Sequence, residues 1–176
     1  MDPGAAPASR NQRLFLALWP DEGVRKQLIT HAGQWIWPLA CARYAPADWH
    51  VTLHFIGHVD ADRVVGIAAR AAVPIQPFQL ILDQPGLWQH GLAVLCASEV
   101  PPALRALYDQ LGDTLHGLDL SVDTRPYQPH ITLARRAAGA ILPMAPAPVV
   151  WPVSNFALVV SVQEKGHRYQ VIRRYH

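Results

Sequence analysis

His50-Val51-Thr52-Leu53 and His130-Ile131-Thr132-Leu133 are near copies of one another, 80 residues apart. Each reads histidine, apolar, threonine, apolar, the alternation of a strand with one polar and one buried face. On such a strand the histidine and threonine share a side, with Cα atoms about 6.5–7 Å apart. Imidazole changes charge near neutral pH, so two of them facing one cleft suit acid–base work. A threonine hydroxyl donates to an oxyanion and does not titrate in that range. Two such strands related by a pseudo-two-fold would set an oxyanion between two hydroxyls and two imidazoles. One imidazole would take a proton from water while the other protonates a leaving oxygen, as in-line attack at phosphorus requires.

The competing reading is two unrelated half-buried strands, each exposing one of the chain's nine histidines. Matched context weighs against it. Leucine follows each threonine, and a short Tyr-x-Pro element precedes each motif (Tyr44-Ala45-Pro46 and Tyr127-Gln128-Pro129). Rival chemistries lack their residues. No Asp, Glu or Cys stands at ligand spacing beside either motif, and His-x-Thr is neither HxH nor HExxH, so no metal is expected. No G-x-S-x-G elbow, phosphate-binding loop or dinucleotide fingerprint occurs, and no cofactor is implied. Cys41 and Cys96 form no CxxC and read as small buried hydrophobes.

The elements that would carry these motifs follow from periodicity. Arg13 to Trp19 is a short apolar run ended by Pro20, a strand buried on both faces. Asp21 then caps a helix with Val24, Leu28, Ala32 and Trp35 at helical spacing, ended by Pro38. Arg43-Tyr44 is a brief strand. Trp49 to His58 is the first histidine strand, with Val51, Leu53 and Phe55 on its core face and His54 beside His50 and Thr52. Asp60 caps a helix carrying Val64, Ile67, Ala68 and Ala71. Strands are expected over Phe78 to Asp83 and Leu92 to Ala97, with a turn at Pro85-Gly86. Pro101-Pro102 open a helix with Leu104, Leu107, Tyr108, Leu111 and Leu115 on one face. Leu118 to Thr124 is a loop or short strand. His130 to Arg135 is the second histidine strand, Ala137 to Pro148 a surface loop. Phe156 to Val162 and Tyr169 to Arg174 pair through a turn at Lys165-Gly166. The order is α+β with antiparallel sheet, and strand, helix, histidine strand occurs twice, as in an imperfect duplication.

Composition bounds the rest. With 51% of residues hydrophobic and 16% charged, a core is expected rather than disorder. Residues 1–12 read as a flexible Ala/Pro-rich tail and residues 13–176 as one bilobal domain. A formal charge of +2 tolerates an anionic ligand but lacks the clustered basic surface that grips a duplex. No apolar run reaches the roughly 18–20 residues of a membrane span, and no secretory signal is visible, so a cytoplasmic monomer without an obligate protein partner is expected.

These motifs, with RLFLALWP (13–20), WHVTLHFIGHV (49–59), YQPHITLAR (127–135) and a C-terminal strand pair carrying Ser161 and Tyr169, resemble the 2H phosphoesterases. Within that superfamily the chain is similar to the RNA 2′,3′-cyclic phosphodiesterases, also called 2′-5′ RNA ligases. The resemblance covers residues 13 to 175. It implies two pseudo-symmetric lobes, antiparallel sheets lining a central cleft and helices outside. It implies metal-independent hydrolysis of a 2′,3′-cyclic phosphate, on RNA ends or small nucleotides, to a 2′-phosphomonoester. His50 would be the proton donor to the departing 3′ oxygen and His130 the proton acceptor from water. Thr52 and Thr132 would hold the phosphate, and Arg135 matches the arginine that follows the second motif. Strand parity opposes this last match: an unbroken strand puts Arg135 with Ile131 and Leu133, and gives Arg136 the cleft face. Trp88 and Tyr127 are candidates for stacking on an unpaired base, whereas parity assigns Phe55 to the core. The resemblance also implies reversible 2′-5′ RNA ligation to a 5′-hydroxyl end in vitro. The alternative is a non-catalytic module that binds RNA ends or nucleotides on this scaffold.

Overall fold

In the computed structural model, residues 11–164 and 167–176 are described. The expected tail falls mostly outside them, as does the turn at Lys165-Gly166, and the first strand already begins at Gln12. The main sheet has two halves. In the first, β1 (Gln12–Leu18) lies between β3 (Val51–Val59) and the hairpin of β9 (Phe156–Glu164) and β10 (His167–Tyr175). In the second, β7 (His130–Arg135) is followed by β6 (Leu92–Cys96) and the edge strand β5 (Gln84–Trp88), with the two-residue β2 (Ala42–Arg43) also on β7. Every neighbouring pair is antiparallel. The halves join at one residue pair, Val51 with Ile131, both fully buried.

Apolar runs and faces account for these elements. Leu14 to Leu18 are buried on both sides of β1, as a continuous apolar run in a central strand requires. α1 (Glu22–Ala32) starts where the Asp21 carboxylate accepts the Val24 amide at 2.9 Å and packs through Val24, Leu28 and His31. It ends at Gly33, short of Pro38, so Trp35 is buried from the turn that follows. A 3-10 turn at Ala61–Arg63 leads into α2 (Val64–Arg70). α3 (Pro102–His116) buries Leu104, Leu107, Leu111 and Leu115.

Two connections differ from expectation. Pro85 and Gly86 do not turn the chain; they lie within β5, at the sheet edge where proline's missing N–H is tolerated. The turn is one step later, at Gln89–Gly91, where His90 (φ 63°) and Gly91 (φ 72°) take left-handed conformations. β4 (Phe78–Leu82) leaves the main sheet and pairs with β8 (Val149–Val153), a strand that follows the Ala/Pro-rich loop and that its Pro152 obscured. Of the two forms expected for Leu118 to Thr124, the loop is the one found.

Two histidines are built into the core. Trp35 Nε1 donates to His31 Nε2 at 3.1 Å, and His54 Nε2 donates to the Tyr108 carbonyl at 2.7 Å. The Nδ1 of each is buried without a partner. Burial holds both below the ordinary histidine value. Below about pH 6.5 the unfolded chain therefore binds more protons than the folded one. Stability is complete above that pH and declines as pH falls toward the folded values. Melting temperature followed by circular dichroism should fall between pH 7 and pH 5. The slope should be smaller in His54→Gln, whose amide still donates to Tyr108 but takes no charge. A melting temperature independent of pH, or an unchanged slope in the variant, would contradict this account.

Candidate active site

Bulges decide which side chains reach the cleft. Along β3 the pairs with β1 run Thr52 with Ala17, then His54 with Leu16, skipping Leu53. An extra residue in one strand inverts the alternation beyond it. His54 consequently turns into the core (3% exposed), its ring packed against Gly112 of α3, and Phe55 turns to the cleft (57% exposed). Both placements reverse those expected from parity. Along β7 the pairs with β6 run Thr132 with Val94, then Ala134 with Ala93, skipping Leu133. Ala134 is thereby buried, and Arg135 lines the same cavity as His130 and Thr132. The bulge removes the conflict over Arg135. Arg136 lies beyond the strand in a left-handed conformation (φ 51°) and does not line the cavity.

The tyrosines that precede each motif brace the opposite one. The Tyr44 amide donates to the carbonyl of Leu133, the bulged residue, at 2.9 Å, and the Arg135 guanidinium lies over the Tyr44 ring at 5.6 Å. The Tyr127 hydroxyl donates to the Thr52 carbonyl at 3.1 Å. Tyr127 stacks on Tyr108 (4.0 Å), which stacks on His54 (4.1 Å), so the brace continues into α3.

His50 and His130 are held alike. His50 Nδ1 lies 2.7 Å from the Asp48 carbonyl and His130 Nδ1 2.8 Å from the Gln128 carbonyl, in each case two residues back. A carbonyl only accepts, so Nδ1 carries the proton in both rings and Nε2 is free to accept or donate. A cavity of about 180 Å³ is lined by His50, Thr52, His130, Thr132 and Arg135, together with Ser161 and Tyr169.

The surroundings of the two rings are unequal. Trp19 stacks on His50 (5.4 Å between centroids, 8° between planes), and Phe15 and Tyr169 close two further sides at 4.9 and 5.1 Å. Burial among these rings pushes His50 down to about 4, against the Asp48 carbonyl, which favours the charged form; nearby His130 lowers it further. Burial also lowers His130, by less, its nearest aromatic neighbour being Trp88 at 4.4 Å. A second cavity of about 270 Å³ adjoins the first through Thr52, Phe55 and His130 and is walled by Trp88, Tyr108 and Tyr127. Trp88 and Tyr127 therefore stand together on the far side of His130. Phe15 and Trp19 escaped the sequence reading because they sit in a run that looked wholly core. Their alternate positions in RLFLALW are the available signal.

Two lobes that each present a His-x-Thr strand to one cleft define the two-histidine phosphoesterase fold. Comparison with known proteins agrees. Residues 33–164 match the model of the 2′-5′ RNA ligase superfamily. The chain is 31% identical over 172 residues to the RNA 2′,3′-cyclic phosphodiesterase of Escherichia coli, covering 95% of this chain and 97% of that one. It is 31% identical over 185 residues to the enzyme of the same name from Thermus thermophilus, covering 93% and 89%. The crystal structure of E. coli LigT with 3′-AMP superposes with a TM-score of 0.84 at 29% identity, covering 94% of this chain and 98% of that one. The chain belongs to the 2′-5′ RNA ligase superfamily.

The unequal shells are directly measurable. In a proton NMR titration of the free protein, both cleft histidines should titrate below 6.5, His50 lower than His130. Inorganic phosphate, an anion beside both rings, should move both upward. Trp19→Ala, which admits water to one face of His50, should raise His50 and leave His130 nearly unchanged. Equal values for the two rings, or no response to phosphate, would show that the described surroundings do not govern them.

Proposed function

We propose that the chain is an RNA 2′,3′-cyclic phosphodiesterase that works without a metal, with His50 as general acid and His130 as general base. The observation that carries this reading is the matched pair of Nδ1 bonds to backbone carbonyls, which leaves two Nε2 atoms for one cavity. The cyclic phosphate sits between Thr52 and Thr132, with Arg135 opposing its charge. Neutral His130 takes a proton from water as the water oxygen bonds to phosphorus. The bond from phosphorus to O3′ breaks, and His50 Nε2–H protonates O3′, leaving a 2′-phosphomonoester. With these unequal shells the division is one of reverse protonation: the form that reacts, His50 charged and His130 neutral, is the minor singly protonated one, and each group in it is the more reactive for that. An imidazolium that holds its proton weakly gives it readily to an alkoxide, and the less perturbed His130 is the stronger base. The terminal base lies in the adjoining aromatic cavity against Phe55, Trp88 and Tyr127. With a 5′-hydroxyl attacking in place of water, the same course breaks the bond to O3′ and leaves a 2′-5′ linkage, which is ligation. The E. coli and T. thermophilus relatives carry the phosphodiesterase name, and E. coli LigT is solved with 3′-AMP. No helix among the described residues is long and apolar enough to cross a membrane.

Incubation with a 2′,3′-cyclic-phosphate oligonucleotide should give a 2′-phosphate, read by phosphorus NMR. His50→Ala and His130→Ala should each lower kcat by about 10²–10⁴-fold with an unchanged circular dichroism spectrum. EDTA should have no effect. Tight binding without turnover would favour a binding module, and near-normal turnover by both variants would refute two-histidine catalysis.

The pH dependence has a defined sign. Both imidazoles are depressed in the free protein, so the singly protonated state is favoured on the acid side of neutrality. kcat/KM should therefore peak below pH 7 and decline above it. The bound anion raises both values, so the alkaline limb of kcat should lie at higher pH than that of kcat/KM. Coincident limbs would contradict this electrostatic account.

A further inference from the structure

The cleft is electrically lopsided. Beyond His130 its wall is largely aromatic, and of the two guanidiniums on that side among the described residues, Arg125 is tied by three hydrogen bonds to the carboxylate of Asp123 and Arg105 lies over the Tyr108 and Tyr127 rings at 5.8 Å. On the His50 side Arg13 joins Arg135 in the wall, and among the described residues Asp48 is the only carboxylate lining it. A third guanidinium, Arg168, lies over the ring of Tyr44 at 4.7 Å, the ring that Arg135 also covers. Tyr44 is itself part of this wall, so Arg168 stands at its margin. Arg13 and Arg168 are exposed, and neither makes an ion pair among the described residues.

One cyclic phosphate carries a single negative charge, which Arg135 and the imidazolium already oppose. Two further guanidiniums on the same side exceed that need. Guanidinium is the donor best matched to phosphate oxygens, and clustering it beside a reaction centre is unfavourable without an anion to share. We propose that Arg13 and Arg168 form a second phosphate subsite, which binds the phosphate on the 5′ side of the terminal nucleotide and so favours RNA ends over simple cyclic nucleosides. The proposal rests on the reading that the cyclic phosphate lies between the two histidines.

The test compares three substrates: adenosine 2′,3′-cyclic phosphate with a 5′-hydroxyl, the same nucleotide with a 5′-phosphate, and the dinucleotide ApA ending in a cyclic phosphate. At low salt the two that carry a second phosphate should show KM about tenfold lower with similar kcat. The advantage should shrink as salt rises, because the contacts are exposed and screened. The double variant Arg13→Gln/Arg168→Gln should lose the advantage and keep its kcat on the 5′-hydroxyl nucleotide. Equal KM for all three substrates in the wild type, or an advantage that survives in the double variant, would overturn the subsite. If the arginines instead hold an incoming 5′-hydroxyl strand, added ApA would inhibit the wild type more than the double variant with no preference among substrates, which also overturns it. Failure to turn over any of the three would refute the proposed activity itself, a separate result.

Discussion

The cleft depends on one contact, the pair between Val51 and Ile131. Both side chains are fully buried, and the ladder between the two half-sheets is limited to this pair. An antiparallel pair sets the residue before one member across from the residue after the other. His50 therefore lies on the side of Thr132, and Thr52 on the side of His130, with the pseudo-two-fold running between Val51 and Ile131. The crossed bonds from the Tyr44 amide to Leu133 and from the Tyr127 hydroxyl to Thr52, and an apolar core common to both halves, hold the lobes about this pair. The histidines thus gain their mutual position from apolar residues that take no part in the chemistry.

Much of this was legible in the residues. The duplicated motif, the strand order around it and the helix faces follow from alternation and periodicity, which are local properties. What alternation alone missed is the bulge, which a strand acquires from its neighbour. Leu53 and Leu133 occupy the same place in the two motifs, and each is the residue skipped in the ladder with β1 or β6. Five residues past each histidine the chain returns to the cleft, as Phe55 in one lobe and Arg135 in the other. Simple parity put both in the wrong place for a single physical reason. The resemblance named Arg135 correctly as a cavity residue, whereas Phe55, lacking such support, was assigned to the core. β8 went unread because its pairing partner is distant in sequence and Pro152 breaks its local pattern.

Duplication yields symmetry only in the backbone. The Nδ1 bonds, the bulges and the crossed tyrosines recur in both halves, and each requires little more than main-chain geometry. The side chains that fill the symmetric frame differ. The Phe55 position is apolar and its counterpart Arg135 is cationic. His50 is enclosed by Trp19, Phe15 and Tyr169, while His130 has Trp88 and a more open face. A symmetric pair of imidazoles would share one proton equally and have no preferred direction. Unequal burial breaks that tie: the resting proton favours His130, and the form with His50 charged is the less populated and the more reactive.

The same asymmetry explains why the pair remains adjustable by its ligand. Among the described residues neither imidazole has a carboxylate partner holding it charged; each is oriented by a neutral carbonyl and depressed by burial. A carboxylate in place of either carbonyl would favour imidazolium before any substrate arrived, and would repel the phosphate as well. With neutral carbonyls, the substrate's own anion becomes the main charge that draws a proton into the cleft. Protonation is then linked to binding: whatever affinity the anion gains from an imidazolium, the imidazolium gains in basicity from the anion.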